Sequence, residues 1–187
     1  MNDYTVKDLM VPLSEYATVN EEATLYDAIQ ALEKAQEEFQ VNKYAHRAVL
    51  ILDKNQQVIG KLSQLNVLRA LQPKNTDLES IAQLNQYGFS EKFIQILQSE
   101  KRLQGAPLLD LCENAAKLKV VDFMQTPTEG EYIGQDSPLE VAVNQLVYGK
   151  FLALLVTEGT KIIGILRLTD VFGAVFHAMQ ECQIQLM

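Results

Sequence analysis

Two short matching stretches, each beginning in an apolar segment and ending in polar residues, carry the side chains best suited to bind a ligand. They are Gly164–Asp170 and Gly60–Asn66. In the first, the planar guanidinium of Arg167 could hold a phosphate. The alternative is a plain helix cap at Thr169 or Asp170 beside a solvated Arg167. The polar candidates are Arg167, Thr169 and Asp170 in one stretch and Ser63 and Asn66 in the other.

Catalytic machinery is not evident in the sequence. There is no Gly-rich phosphate loop, no dinucleotide-binding fingerprint and no nucleophile elbow. His46 and His177 lack convincing catalytic neighbours, and Cys112 and Cys182 lack the paired spacing of a metal site. We therefore expect a protein that is not an enzyme, requires no cofactor and holds no metal.

The two polar stretches belong to an internal repeat. Val6–Met10 matches Val120–Met124, and Val58–Leu62 matches Ile162–Leu166. Each copy predicts an amphipathic helix, two apolar strands joined by a polar turn, and a second helix. The apolar helix positions are Leu25, Ala28, Ile29 and Leu32 in the first copy and Leu139, Ala142, Val143 and Leu146 in the second.

The segment between the copies has a different composition, rich in Gln, Leu, Glu and Lys. Its periodicity predicts a helical insert, either a spacer or a contact surface for a partner. The predicted organisation is a first repeat at 1–72, the insert at 73–119, and a second repeat with a C-terminal helix at 120–187.

Charge and hydropathy narrow the class of protein. The 187 residues carry a formal net charge of −8, which argues against nucleic-acid binding because that requires clustered Lys and Arg. The longest apolar run, Phe151–Val156, is far below the ~20 residues that span a bilayer. The start of the chain does not resemble a secretory signal. We expect a cytoplasmic protein that binds neither nucleic acid nor membrane.

The repeated pattern resembles the CBS domain, named after cystathionine β-synthase. It is carried by a lead segment ending in Asp-hydrophobic-Met, an amphipathic helix, and a hairpin that runs through Gly-hydrophobic-hydrophobic into a helix, over about residues 4–72 and 118–179. The resemblance implies an α+β fold in which two βαββα repeats pack as a pseudo-two-fold CBS pair, or Bateman module. It also implies two clefts between the repeats and a homodimer of such pairs.

Within the family, the last strand enters the last helix through Gly-h-h-Ser/Thr-x-x-Asp, where the hydroxyl approaches phosphate and the Asp accepts from ribose hydroxyls. Asp170 matches the ribose position, although Arg167 replaces the hydroxyl and the threonine has moved to Thr169. Ser63 matches the hydroxyl position, but Asn66 replaces the Asp, which should weaken ribose binding. The resemblance thus implies one better site, around Asp170, and one doubtful site, around Ser63.

The resemblance also implies base contacts from the start of the first strand and from the residues that enter the hairpin. Tyr132 could stack on an adenine, although an aromatic residue there is more often core. The pair His46 and Arg47 either adds positive charge near a phosphate or lies on the surface, and Lys61 is interpreted as a surface residue. The predicted positions are Ala17, Thr18, Arg47 and Ala48, with Tyr16 and His46 beside them, and Tyr132, Ile133 and Ala153, with Glu131 and Leu152 beside them.

The implied function is regulatory. A CBS pair of this kind would sense AMP, ADP, ATP or S-adenosylmethionine in a cleft between its repeats and alter a protein partner. The alternative is a ligand-free interaction scaffold that acts through the helical insert and the C-terminal segment Val171–Met187. The departures at Asn66 and Arg167 favour that alternative.

Overall fold

The computed structural model describes residues 4–38, 46–71, 90, 92 and 107–184. Short 3-10 turns lie at Leu13–Glu15, Val120–Asp122 and Glu129–Glu131. The helices are α1 (Val6–Leu9), α2 (Leu25–Glu38), α3 (Gln64–Ala70), α4 (Leu108–Ala116), α5 (Leu139–Gly149) and α6 (Leu168–Ile184). The strands are β1 (Val11–Pro12), β2 (Thr18–Asn20), β3 (Ala48–Leu52), β4 (Val58–Ser63), β5 (Tyr132–Gly134), β6 (Ala153–Glu158) and β7 (Lys161–Arg167).

The strands form two sheets with matching topology. In the first sheet, ordered β2-β3-β4, β2 is parallel to β3 and β3 is antiparallel to β4. In the second, ordered β1-β7-β6-β5, β5 is parallel to β6 and β6 is antiparallel to β7. Helices α2 and α5 make the crossovers that the parallel pairs require. The predicted α+β fold of two βαββα repeats is confirmed.

Each crossover helix packs on its sheet through the apolar face that its periodicity predicts. Ala28 and Leu32 of α2 are buried in the first repeat, as are Ala142 and Leu146 of α5 in the second. The prediction was wrong for Ile29, which is 39 % exposed. One residue beyond Ala28 lies about 100° further around the helix, and this places Ile29 at the flank of the buried stripe.

The lead segments of the two repeats change places. Val6, from the first copy, is fully buried in the helix-side core of the second repeat, and its N–H donates to the Ser137 carbonyl at 3.0 Å. Val120, from the second copy, is fully buried in the core of the first, and its N–H donates to the Ala23 carbonyl at 3.0 Å. Neither repeat therefore completes its helix-side core alone.

A glycine in each hairpin marks the place where the exchanged segment crosses the sheet. A Cβ added at Gly164 would lie 2.6 Å from the carbonyl oxygen of Val11 and 3.1 Å from Met10 Sδ. A Cβ added at Gly60 would overlap the side chain of Met124. The Asp-hydrophobic-Met and Gly-hydrophobic-hydrophobic patterns are thus two halves of one contact between repeats.

A third apolar cluster joins the inner faces of the two sheets. Its central members are Leu50 of β3, which is fully buried, and Leu155 of β6, which is 2 % exposed. Tyr16 and Ile165 belong to the same cluster. The sheets therefore face each other across a dry centre, and the strand-to-helix turns lie at its ends.

Helix α4 is the helical part of the insert that the structure describes. Ala115 packs from it against the core of the first repeat, beside α2. The periodicity of the insert also predicts helical faces near residues 78–84 and 93–97, and both lie outside the described residues. Among the helices of the described ranges, none is long and apolar enough to cross a membrane.

Candidate functional site

The strand-to-helix turn of the second repeat holds a buried ion pair. Arg167, the last residue of β7, donates from Nε to Asp170 Oδ2 and from Nη2 to Asp170 Oδ1, both at 2.6 Å. Arg167 is only 6 % exposed, which removes the interpretation of a solvated strand end. Two parallel charge-assisted bonds of this kind are strong and fix the geometry of both groups.

The matching turn of the first repeat holds a neutral pair in the same arrangement. Ser63 caps α3, with its Oγ accepting from the Asn66 N–H at 3.2 Å. The Asn66 side-chain oxygen accepts in return from the Ser63 N–H at 2.9 Å. This is a capping box. In both repeats the residue at the end of the strand therefore contacts the residue three positions later, with charge in one copy and without it in the other.

The first repeat contributes an aromatic pair to the Arg167–Asp170 turn. Tyr16 is 6 % exposed, and its ring lies edge-on to the ring of fully buried His46, with centroids 4.4 Å apart. Burial raises the pKa of Tyr16 to about 12, while nearby Arg167 lowers it and Asp170 raises it by smaller amounts. The phenol thus lies within the field of the ion pair. We call the group formed by Tyr16, His46, Arg167 and Asp170 cleft A.

Four of the predicted contact residues gather at this end of the first sheet. The parallel β2–β3 pairing brings them together, because the Leu50 N–H donates to the Ala17 carbonyl at 2.9 Å. Ala17 is buried with its side chain in the helix-side core, Thr18 and Ala48 are half-buried, and Arg47 is exposed. Thr18, Arg47 and Ala48 are thus close in the chain to Tyr16 and His46 of cleft A, whereas the side chain of Ala17 points into the core.

The other cleft contains an ion pair that joins the two repeats. Lys61 of β4 forms a salt bridge with Glu131, which is 5 % exposed. The Thr128 N–H and hydroxyl donate to the second oxygen of Glu131 at 3.2 and 3.3 Å. Alternate residues of a strand share a face, so Lys61 and Ser63 point the same way from β4. We call the group formed by Lys61, Ser63, Asn66 and Glu131 cleft B.

The interpretation of Lys61 as a surface residue was wrong. Its side chain is 17 % exposed, and burial lowers the pKa of its ammonium. It stands opposite Leu50 in the β3–β4 ladder, on the face that meets the second sheet. The sequence carried no signal for this orientation, because it depends on the β3–β4 register that sets Lys61 beside a core-facing leucine.

The remaining predicted residues lie in the second repeat. Ile133 is 5 % exposed in the helix-side core, so its side chain points away from the space between the sheets. Tyr132 is 38 % exposed, and its carbonyl accepts from Gln145 at 2.9 Å. Ala153 lies directly opposite Arg167 in the β6–β7 ladder. Thr169 is half-buried in the first turn of α6.

A sequence profile of the CBS domain matches residues 6–73 and 120–177. The chain belongs to the CBS-domain family. The two matched regions coincide with the two structural repeats, so the resemblance carried by the repeated pattern is confirmed. In this CBS pair the two clefts lie between the CBS repeats, and each takes residues from both.

Solved structures support the same fold. CBSX2 from Arabidopsis thaliana, a CBS-pair protein, is 20% identical over 96% of this chain and 99% of that chain, with a TM-score of 0.60. A crystal structure of CBSX2 in complex with AMP is 20% identical over 93% of this chain and 97% of that chain, with a TM-score of 0.59. A CBS-domain protein of unknown function from Bacillus anthracis is 15% identical over 93% and 94% of the two chains, with a TM-score of 0.61. No curated protein matches the sequence.

Proposed function

We propose that this chain is a regulatory module that binds an adenine nucleotide in cleft A. The observation that carries the proposal is the buried Arg167–Asp170 pair, which lies beside Tyr16 of the other repeat where α6 begins. A cation, a carboxylate and a helix N-terminus in one cleft between CBS repeats are the groups that a nucleotide needs. The AMP complex of the similar CBS-pair protein CBSX2 supports the choice of ligand class.

Each group of cleft A has a place in nucleotide recognition. The planar fork of Arg167 matches the oxygens of a phosphate. The two oxygens of Asp170 can accept both hydroxyl hydrogens of a ribose. The Leu168 N–H donates to the Leu152 carbonyl at 2.9 Å, and the N–H groups that follow it in the first turn of α6 lack partners within the helix and favour an anion. Base contacts would come from the start of β2 and from Arg47 and Ala48.

In the free protein Arg167 and Asp170 satisfy each other. A nucleotide would exchange that one pair for two, with phosphate on the guanidinium and ribose on the carboxylate. The exchange stays within one strand-to-helix turn, so it does not separate the repeats. This favours a charged nucleotide over adenosine, because Arg167 would otherwise lose its ionic partner within a buried site.

The proposed output is a change in a protein partner, with a homodimer as the assembled form and the cytoplasm as the compartment. The matching helices α3 and α6 leave apolar side chains exposed, and we propose that a second copy covers them, since a two-fold dimer would bring equivalent faces together. These side chains are Leu65, Leu68, Phe172, Phe176 and Met179, each 50 % to 67 % exposed. Light scattering after gel filtration distinguishes a dimer from a monomer.

The test of ligand binding is calorimetric titration of the purified full chain with AMP, ADP, ATP and S-adenosylmethionine. We expect at least one to bind, and Asp170→Ala to weaken it by about tenfold or more, as the loss of a charged hydrogen-bond partner predicts. Asn66→Ala is the matched control and should change affinity far less. Absence of binding to all four at millimolar concentration contradicts the proposal, and equal effects of the two variants contradict its placement in cleft A.

The proposal includes no catalysis, so the nucleotide should be recovered unchanged. Chromatography of AMP, ADP and ATP after overnight incubation with the protein checks this. Formation of a product that depends on protein concentration would identify an enzyme instead.

A ligand-free interaction scaffold is the second candidate. The observation that favours it is that both oxygens of Asp170 are already bonded to Arg167. If the titrations detect no ligand, this candidate predicts that a tagged chain still captures a protein partner and that deletion of residues 73–106 abolishes capture. Retained capture after the deletion would exclude the insert as the contact surface.

A further inference from the structure

The ion pair of cleft B lies where a nucleotide in that cleft would have to bind. Lys61 and Ser63 share a face of β4, about 7 Å apart at two residues' rise, and Glu131 reaches across from the second repeat to Lys61. The carboxylate is 5 % exposed. Any phosphate that approached the capped turn at Ser63 would therefore meet a buried negative group, and it could bind Lys61 only by displacing Glu131.

The position of the 3-10 turn relative to the next strand brings Glu131 into the cleft. In the first repeat Tyr16 and Ala17 separate the 3-10 turn from β2, and Glu15 at the end of that turn is exposed. In the second repeat the 3-10 turn ends directly before β5, so the residue that precedes the strand is the buried Glu131, at the position that Ala17 holds in the first repeat. The Thr128 capping box then holds its carboxylate in place.

The two ion pairs differ in what must break when they open. Arg167 and Asp170 lie three residues apart in one turn, so their separation is local. Lys61 and Glu131 belong to different repeats, and the backbone of Lys61 also pairs with Gln125 of the second repeat through bonds of 3.0 and 2.9 Å. Opening the pair in cleft B therefore strains a contact between repeats and leaves a buried carboxylate without its cation.

We propose that Glu131 determines which cleft is occupied: it closes cleft B with Lys61, so that each chain holds one nucleotide, in cleft A. The inference rests on the proposed function, because it concerns the number and place of the nucleotides that the module binds. The preference for cleft A would then come from repulsion of the phosphate by Glu131 in cleft B as well as from its attraction to Arg167 in cleft A.

The experiment is calorimetric titration with AMP, read as the number of sites per chain. Wild type should bind one AMP. Glu131→Gln keeps the size of the side chain and removes its charge, which frees Lys61 for phosphate, and should bind two. Glu129→Ala, in the same 3-10 turn but exposed, is the matched control and should bind one. The double variant Asp170→Ala with Glu131→Gln should bind one AMP, now in cleft B.

The outcomes separate the two proposals. If wild type binds no AMP and none of the other adenine ligands, the proposed function fails. If wild type binds two AMP per chain, or if Glu131→Gln still binds one while its thermal melt shows a folded protein, nucleotide binding stands and the role of Glu131 is overturned. If Glu131→Gln does not fold, the number of AMP sites in wild type and in Asp170→Ala tests the role of Glu131 instead. Wild type should bind one AMP, and Asp170→Ala should lose that site. A nucleotide bound in cleft B of wild type would survive the Asp170→Ala substitution.

Discussion

Clefts A and B share a backbone arrangement and differ in where they place charge. In cleft A the ion pair is local, between Arg167 and Asp170 of one turn. In cleft B the turn is neutral and the ion pair runs between the repeats, from Lys61 to Glu131. A local pair can exchange partners without moving the repeats, whereas a bridging pair holds them together. The two repeats thus differ in whether the ion pair lies within one turn or joins the repeats.

The residues that precede the strands also differ between the two repeats. Two residues before β2 stands Tyr16, which contacts His46 two residues before β3. Two residues before β5 stands Gly130, and a Cβ there would lie 3.3 Å from the ring of Phe151, two residues before β6. The first repeat thus has the two polar rings of Tyr16 and His46 in contact, where the second repeat has the apolar ring of Phe151 against Gly130.

The largest difference we expect between the clefts is in stability. Asp170→Ala leaves the 6 % exposed Arg167 without its carboxylate, and should lower the free energy of unfolding by about 3 kcal/mol, as for a buried pair that loses one partner. Asn66→Ala removes a neutral capping interaction and should cost about 1 kcal/mol. Urea unfolding of both variants measures the difference. Equal losses would mean that the ion pair of cleft A contributes no more than an ordinary cap.

The residues of cleft A could be predicted from sequence because Arg167 and Asp170 lie in one turn whose family pattern is local. Ser63 and Asn66 of cleft B were predicted in the same way, but the ion pair of cleft B was not, since Lys61 and Glu131 are far apart in the chain and meet only when the two sheets pack. A lysine in a strand is usually solvated, and the pleat that points Lys61 inward depends on a register that the sequence alone leaves open. Long-range charge pairing is the physical reason for this failure.

A second test uses the alkaline limit of stability. Burial raises the pKa of Tyr16 to about 12 in the folded protein, against about 10 in an unfolded chain. The folded pKa is the higher one, so this contribution is fully present below pH 10 and is lost as pH rises towards 12. By linkage it amounts to about 2.5 kcal/mol at most.

Absorbance titration at the tyrosinate band, combined with unfolding at pH 8 and at about pH 11, checks the alkaline prediction. Tyr16→Phe should remove the latest tyrosinate step and flatten the alkaline loss of stability. Tyr132→Phe, at a position 38 % exposed, is the control and should leave the alkaline loss in place. If both variants behave alike, the burial of Tyr16 in cleft A is not what sets the limit.

The crossing points of the exchanged lead segments provide a third comparison. Gly164→Ala places a methyl group against the backbone oxygen of Val11, which cannot move without disturbing the β1–β7 pairing, and should cost about 2 kcal/mol. Gly60→Ala meets only the side chain of Met124, which can rotate, and the loss of a strand glycine returns about 0.5–1 kcal/mol. Thermal melts should therefore rank Gly164→Ala well below Gly60→Ala, and the reverse order would contradict the crossing geometry.

The exchange of lead segments was outside what the sequence predicts. Periodicity assigns helices and strands because it depends on neighbours along the chain, and it placed the crossover helices and hairpins correctly. The segments around Val6 and Val120 are too short to show which core they enter. Their destination is decided by the fit of Met10 on Gly164 and of Met124 on Gly60, a contact that exists only in the folded pair.

The smallest effect we expect concerns two exposed capping boxes of the first repeat. The Thr5 N–H donates to Asp8, and the Thr24 N–H donates to Asp27, each at 2.8 Å. These backbone bonds, with smaller help from the threonine hydroxyls, lower the pKa of both carboxyls below the ordinary 3.8. Their stabilisation is present above that value and is lost as pH falls through the lowered folded values. Pro138, which precedes α5 in the second repeat, has no N–H to donate.

Asp27→Asn should therefore reduce the acid dependence of stability below about pH 4, measured as the change in urea midpoint between about pH 4 and pH 2. The converse variant, Pro138→Thr with Val141→Asp, transfers the capping box to the matching position of α5 and should steepen the same dependence. Because both carboxylates are exposed, high salt should weaken each effect. An unchanged acid slope in both variants would show that these caps do not distinguish the two repeats, and would leave the two clefts as the main difference between them.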